Sequence, residues 1–314
     1  MSRLLHVAAA QCGPISRETP RSQVVARRIE QMREARALGC RLIVFPECAL
    51  GAFFPHWYVD DPVELDAWYE PDMPGHETQP LFDEAARLGI GFYLGYAELS
   101  VEAGRPHRYN AAVLVDDAGR MVGKYRKIHL PGHVEHRPQN PFQNLEQRYF
   151  EFGDRPFRAY RAFDGVVGMC ICNDRRWPET YRLLGLAGAE MILCGYNTPD
   201  VIPEHPEIER LAEFQNKLAM QAGAYQSASW VVGVAKAGVE EGVSQIGGTS
   251  IIAPSGEIVA TASTRDDELI TYECDLEMAA DYHRLYNFER NRRTEHYGPL
   301  VSQRGPTPPP LRND

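Results

Sequence analysis

Short apolar runs, each leading into a helical pattern and then another apolar run, recur in both halves of the chain. That grammar restricts the fold more than any other feature. In the first half Leu4–Ala10 reads as a strand, and Thr19-Pro20 caps and opens a helix. Its apolar positions Val24, Val25, Ile29, Met32, Ala35 and Leu38 recur at helical spacing, and Gly39 ends it. Arg41–Phe45 is a second strand, Gln79–Leu88 a helix closed by Gly89, and Gly91–Leu99, Arg108–Val115 and Met121–Tyr125 are further strands. Glycines 89, 91 and 95 have no phosphate-loop context and read as packing. The second half repeats the pattern: strands at 157–161 and 165–171, a helix over 177–187, a strand over Glu190–Cys194, a long helix over Ile208–Ser227, and strands at 229–235, 249–253, 257–262 and 268–274. Such alternation predicts two mixed sheets with helices outside, a layered α/β fold. Residues 1–280 read as one domain. The tail, 281–314, is expected to pack on a neighbouring subunit or to be disordered at its end.

Composition excludes several classes. A net charge of -10 over 314 residues argues against a nucleic-acid partner, which needs a basic surface. No run approaches the ~20 apolar residues of a membrane helix, and Leu4–Ala10 is too short for the apolar part of a signal segment. Seven cysteines, odd in number and irregular in spacing, point to reduced thiols and a cytoplasmic location.

The chemistry gathers at strand ends, where open α/β sheets put their sites. The run Val166–Ile171 stops at Cys172, followed by Asn173-Asp174-Arg175-Arg176 and a helical pattern from Trp177. A turn there lifts the sulfur out of the sheet, and a helix N-terminus favours the thiolate. Two other strands end in Phe45-Pro46-Glu47 and Tyr125-Arg126-Lys127. A thiol is a poor nucleophile until deprotonated, and a partly desolvated carboxylate can take its proton. A lysine and the N–H of Asn173 can hold the resulting oxyanion. Taken singly, a cysteine packs, a glutamate caps a helix and a lysine is surface charge; together they form a complete set for acyl or carbamoyl transfer. Arg175-Arg176 suggests an anionic substrate, against the reading of an ordinary solvated pair.

The stretches FPE around Glu47, GKYRKIHLPG around Lys127 and CICNDRRWPE around Cys172 resemble the nitrilase superfamily of carbon–nitrogen hydrolases. The nearest resemblance within it is to the N-carbamoyl-D-amino-acid amidohydrolases, on GAFFPHWY, LGIGFYLGYAEL, VGKYRKIHLPGH, LEQRYFEFGD, CNDRRWPE, GYNTP and MQAGAYQ. The resemblance implies a four-layer α-β-β-α sandwich of two mixed six-stranded sheets, assembled as homodimer or homotetramer, with neither cofactor nor metal. It makes Glu47 the general base, Lys127 the oxyanion stabiliser, Cys172 the nucleophile and Glu146 a second glutamate orienting the lysine and leaving group. Asn173, Arg175, Arg176, Asn197 and His129 become substrate-binding residues, the arginines gripping a carboxylate. The implied reaction hydrolyses N-carbamoyl (D-)amino acids to amino acid, carbon dioxide and ammonia. An aliphatic amidase, or an enzyme like β-ureidopropionase or N-carbamoylputrescine amidase, is the alternative. A true nitrilase fits less well, because Asn173-Asp174 stands where those have tryptophan and glutamate. Asn144 and Gln215 replace histidines of the carbamoylases, which leaves the side-chain preference open.

Other signals are weaker. His129, His133 and His136 lack the companion ligands of a metal site. Cys170 shares a strand face with Cys172 and reads as packing rather than half of a redox pair. Phe53, Phe54 and Trp57 read equally as the wall of a substrate pocket or as core.

Overall fold

The computed structural model describes residues 2–203, 205–286 and 288–309. The first half runs β1 (Leu4–Gln11), α1 (Arg21–Ala37), β2 (Leu42–Val44), α2 (Pro62–Asp66), α3 (Gln79–Leu88), β3 (Gly91–Glu102), β4 (Arg105–Val115) and β5 (Met121–Arg126). After a single turn, α4 (Glu146–Tyr149), come β6 (Ala159–Ala162), β7 (Gly165–Ile171), α5 (Pro178–Leu186), β8 (Met191–Tyr196), α6 (Glu209–Ser227) and β9 (Trp230–Ala235). The chain then forms β10 (Ala237–Glu240), β11 (Val243–Ile246), β12 (Ser250–Ile252), β13 (Ile258–Thr261) and β14 (Glu268–Asp275), followed by α7 (Glu277–Tyr286), α8 (Phe288–Asn291) and α9 (Gly298–Ser302).

One sheet has the order β14-β1-β2-β3-β4-β5 and the other β13-β12-β9-β8-β7-β6. In the first, β1, β2 and β3 are parallel and crossed over by α1 and α3. In the second, β7, β8 and β9 are parallel and crossed over by α5 and α6. The flanking strands pair antiparallel in both. The repeated grammar of the sequence is thus two copies of one sheet plan, and the fold is the expected α-β-β-α sandwich of two mixed six-stranded sheets.

Strand alternation decides which face goes where. Leu5, Val7 and Ala9 of β1 join Val44, Tyr93 and Leu114 in the core that includes Val167, Met169 and Ile171 of the other sheet. Ala8 and Ala10 turn the other way, onto Val25 and Met32 of α1 and Leu81 and Phe82 of α3. The Tyr93 hydroxyl donates to the Cys170 carbonyl oxygen at 2.9 Å, tying β3 to β7. Two glycines allow the backbone after β2 to lie close to both sheets. A Cβ on Gly95 or on Gly195 would fall 2.7 Å from the backbone of Pro46 or Glu47. Gly95 does pack, as read, and what it packs against carries Glu47.

Several local expectations differ. Pro20 occupies the N-cap position of α1, and no side chain caps that helix. The hairpin β10–β11 was unforeseen, because Gly238, Glu240, Glu241 and Gly242 break its apolar alternation. β3 and β4 continue pairing through Glu102 and Arg105. The boundary drawn at residue 280 falls inside α7, whose Tyr286 packs edge-on against Tyr225 of α6, at 5.4 Å between ring centres. The expectation of disorder at the chain end concerns in part residues 310–314, which lie outside the described residues. Among the described residues no helix is long and apolar enough to cross a membrane.

Candidate active site

Glu47 follows β2, Lys127 follows β5, Cys172 follows β7, and Glu146 opens α4. The structure brings these four together. Lys127 Nζ donates to Glu47 Oε1 at 2.7 Å and to Glu146 Oε2 at 2.5 Å. Asn110, inside β4, donates from Nδ2 to Glu47 Oε1 at 2.7 Å, and its carbonyl accepts from the Lys127 N–H at 2.8 Å. Glu47 and Lys127 are fully buried, and Glu47 Oε2 has no partner among the described residues. α4 is held by a satellite core: Leu145 and Tyr149 pack with Phe53, Phe54, Tyr69 and Phe150. Phe53 and Phe54 belong to this core, Trp57 packs against it, and none of the three borders the cavity described below.

Cys172 begins a five-residue 3-10 turn. Its φ of 46° lies in the left-handed region, a strain of order 1–3 kcal/mol for a residue with a Cβ. Asp174 holds the turn. This fully buried carboxylate accepts from the Ile171 N–H (3.0 Å), the Tyr125 hydroxyl (2.7 Å), and the His129 N–H and Nδ1 (3.0 and 2.8 Å). It therefore links the nucleophile turn to the segment carrying Lys127. The Asn173 N–H lies in the first turn of this element, where amides have no acceptor within it.

Burial sets the protonation states. It pushes the Cys172 thiol up to about 11, with the Glu47 carboxylate adding to the rise and Lys127 and Arg175 opposing it. The expected help from a helix N-terminus does not produce a resting thiolate; the thiol is neutral and needs a base. Burial would lower the Lys127 ammonium, but Cys172, Glu146 and Glu47 together hold it well above its ordinary value. Burial raises Glu146 to about 7 against the pull of Lys127, with Glu47 adding to the rise.

Cys172 opens onto a cavity of about 450 Å³. Glu146, Asn173, Arg176, Asn197 and Thr198 give it polar walls; Phe142, Val201, Ile202, Ile208 and Ala212 give it apolar ones. A larger depression of about 880 Å³, near Arg21, Trp68 and Glu77, contains none of Glu47, Lys127 and Cys172. Asn197 is buried, accepts a hydrogen bond from the Cys172 thiol at its carbonyl oxygen (3.3 Å), and has both side-chain amide atoms unpaired among the described residues. Arg176 borders the cavity with its side chain partly exposed and makes no hydrogen bond or ion pair among the described residues; desolvation by the surrounding protein and the neighbouring Arg175 charge lower it to about 10.

Two expected substrate contacts are placed elsewhere. Arg175 is buried and turned into the protein, where Nε donates to Asn216 Oδ1 (2.7 Å) and Nη2 to Thr198 Oγ1 (2.9 Å), and it does not border the cavity. His129 is bound to Asp174, stacks on Trp177 with ring centres 4.9 Å apart, and also lies off the cavity. Asn144 borders the cavity; Gln215 does not. Sequence reasoning missed Asn110, Asp174, Thr198 and Asn216. A polar residue inside an apolar strand was the available signal for Asn110. Among the described residues no group of three or more His, Cys, Asp or Glu side chains is arranged to hold a metal ion.

The carbon–nitrogen hydrolase family model matches residues 6–284. An N-carbamoylputrescine amidase of Arabidopsis thaliana is 29% identical over 284 residues, 87% of this chain and 88% of the relative. A nitrilase of Pyrococcus abyssi is 29% identical over 296 residues, 94% of this chain and 99% of the relative. The crystal structure of a carbon–nitrogen hydrolase from Helicobacter pylori superposes with a TM-score of 0.82 at 20% identity, covering 96% of this chain and 99% of that one.

Proposed function

Because the chain belongs to the carbon–nitrogen hydrolase family, we propose that it hydrolyses N-carbamoyl amino acids, the D enantiomers by preference, through a thioester on Cys172. The observation that supports the substrate reading is Arg176, a guanidinium without a partner among the described residues at the cavity that bears the thiol. A carboxylate is its natural partner, bound through paired N–H groups. The unpaired amide of Asn197 offers a donor and an acceptor to a ureido group. The D preference rests on the sequence resemblance alone. N-carbamoylputrescine, the substrate class named for the Arabidopsis relative, is a cation at neutral pH, and Arg176 disfavours it.

In this reading Glu47 takes the Cys172 proton and the sulfur attacks the ureido carbon. The oxyanion faces the Lys127 ammonium and the Asn173 N–H. The C–N bond breaks as the departing nitrogen takes a proton. Glu146, raised to about 7 and bordering the cavity, is protonated often enough to supply it. The proton held by Glu47 passes to the vacated Glu146 across the Lys127 ammonium that lies between them, and Glu47, again a carboxylate, activates a water that opens the thioester. The sum is one water consumed and amino acid, carbon dioxide and ammonia released.

Turnover of paired D- and L-N-carbamoyl amino acids, beside N-carbamoyl-β-alanine, N-carbamoylputrescine and simple aliphatic amides, tests the reading. The D acids are expected to be the best substrates and Cys172→Ala to abolish their turnover. Arg176→Ala should raise KM for the acids by ~10-fold or more, the loss of a charged hydrogen bond. Equal turnover of carboxylate-free amides would overturn the substrate assignment while leaving an aliphatic amidase.

A further inference from the structure

We propose that Arg175 is a positioning residue that acts through Cys172. It holds the nucleophile's backbone in its left-handed conformation and supplies the fixed positive charge that a thiolate there requires, without touching substrate. The inference rests on Cys172 being the nucleophile, not on which amide it attacks.

The guanidinium is clamped on three sides. Nη1 donates to the Cys172 carbonyl oxygen at 2.7 Å and lies 3.7 Å from Cys172 Sγ. Nε donates to Asn216 Oδ1 and Nη2 to Thr198 Oγ1, so α6 and the segment after β8 fix the fork. The group lies over the Tyr196 ring, 4.4 Å from its centre, and Asn216 in turn donates to the Tyr196 hydroxyl at 2.9 Å. With all three nitrogens held, Arg175 is not free to swing into the cavity toward a carboxylate.

Its charge is nevertheless unanswered. Among the described residues no carboxylate lies within ion-pair distance of Arg175; its partners are an amide, a hydroxyl, a carbonyl and an aromatic ring. A buried cation without a counter-ion is a poor structural investment. The charged groups that face Cys172 are Glu47, Lys127, Glu146 and Arg175, with Arg176 across the cavity lining. Glu47 and Glu146 already flank Lys127. When the proton passes from Cys172 to Glu47, negative charge leaves the side of Lys127 and appears on the sulfur beside Arg175. The guanidinium thus acquires its counter-ion at the moment the nucleophile forms. Holding the Cys172 carbonyl also offsets the strain of the turn.

Alkylation of Cys172 by iodoacetamide reads this directly and needs no substrate, so failure of the substrate assignment and failure of this proposal are distinguishable. The rate on Cys172, located by peptide mapping with Cys172→Ala as blank, is measured against pH in full-length protein. Arg175→Gln should displace the profile to higher pH, lowering the rate at neutral pH about tenfold per pH unit of displacement. Arg175→Lys, which keeps charge but not the fork, should recover part of it. Asn216→Asp is isosteric and gives Arg175 a permanent anion, so it too should displace the profile upward. In turnover, kcat should fall while KM for carboxylated substrates stays within about twofold. An unmoved profile in Arg175→Gln overturns the proposal, as does a raised KM with kcat retained. Should Arg175→Gln fail to fold, Asn216→Asp decides: an unmoved profile there overturns it.

Discussion

Lys127 Nζ donates to Glu47 Oε1 at 2.7 Å with both side chains fully out of solvent. The bond divides the labour of one carboxylate. Oε1 is taken by Lys127 and Asn110, while Oε2 has no partner among the described residues and is the atom left to receive a proton. Glu47→Gln keeps the volume and an acceptor for Lys127 but removes the base. The expected result is a kcat lower by ~10²–10⁴-fold with the fold intact. Steady-state turnover and thermal unfolding on the same preparation check it. Retained turnover would remove Glu47 from the chemistry.

Glu146 gives a pH signature. Burial raises its carboxyl from 4.5 to about 7 despite the Lys127 ammonium. Between those values the native state binds more protons than the unfolded chain, so unfolding free energy declines as pH rises through the window. Glu146→Gln should flatten that decline. It should also lower kcat and erase the fall in kcat above about pH 7 that follows from losing the acid form. Urea unfolding and kcat across the window give both readings; an identical slope in the variant would contradict the assignment.

Asp174 bears on the turn rather than on substrate. Its two oxygens accept from the Tyr125 hydroxyl, the Ile171 N–H, and the N–H and ring of His129. Asp174→Ala orphans four buried or half-buried donors, two of them backbone. The expected loss is on the order of 3–5 kcal/mol, read from denaturant midpoints, together with slower alkylation of Cys172 as its turn loosens. A denaturant midpoint and an alkylation rate both equal to the parent's would show that the turn is held by other contacts.

Glu47, Lys127 and Cys172 were legible because each stands where an apolar run stops, and apolar runs mark strands irrespective of tertiary context. The two sheets were legible for the same reason. Asn110 stood out only as a polar residue inside an apolar strand; its role was not legible, because it depends on Glu47, sixty-three positions away. The two arginines carry a similar lesson. In a 3-10 turn successive side chains diverge by about a third of a turn, so adjacent identical residues meet different surroundings. Arg175 points into the protein and Arg176 borders the cavity. Sequence alone assigns both the same task. The hairpin β10–β11 escaped notice because its residues include glycines and acids; Glu240, from its first strand, is buried against Lys236 at 2.8 Å.

The homo-oligomer expected from the resemblance has a candidate surface, and it makes a prediction of its own. Gly223 of α6 lies against Tyr181 of α5, so these two helices pack together over the second sheet. On their outer side Leu183 and Leu186 of α5, with Phe214 and Leu218 of α6, are large, apolar and exposed. On α6 residues 214 and 218 are four apart and form one apolar face, which ends at Tyr225 where Tyr286 of α7 packs against it. A second copy meeting this face about a two-fold axis would set the same stripe against itself, which satisfies an apolar surface with no foreign partner. Such an arrangement predicts that Phe214→Glu combined with Leu186→Glu lowers the sedimenting mass to that of one chain at micromolar concentration. Both side chains are already exposed, so the secondary structure seen by circular dichroism should be retained. Unchanged mass in the double variant would move the interface to another face, and a single-chain mass in the parent would remove the oligomer altogether.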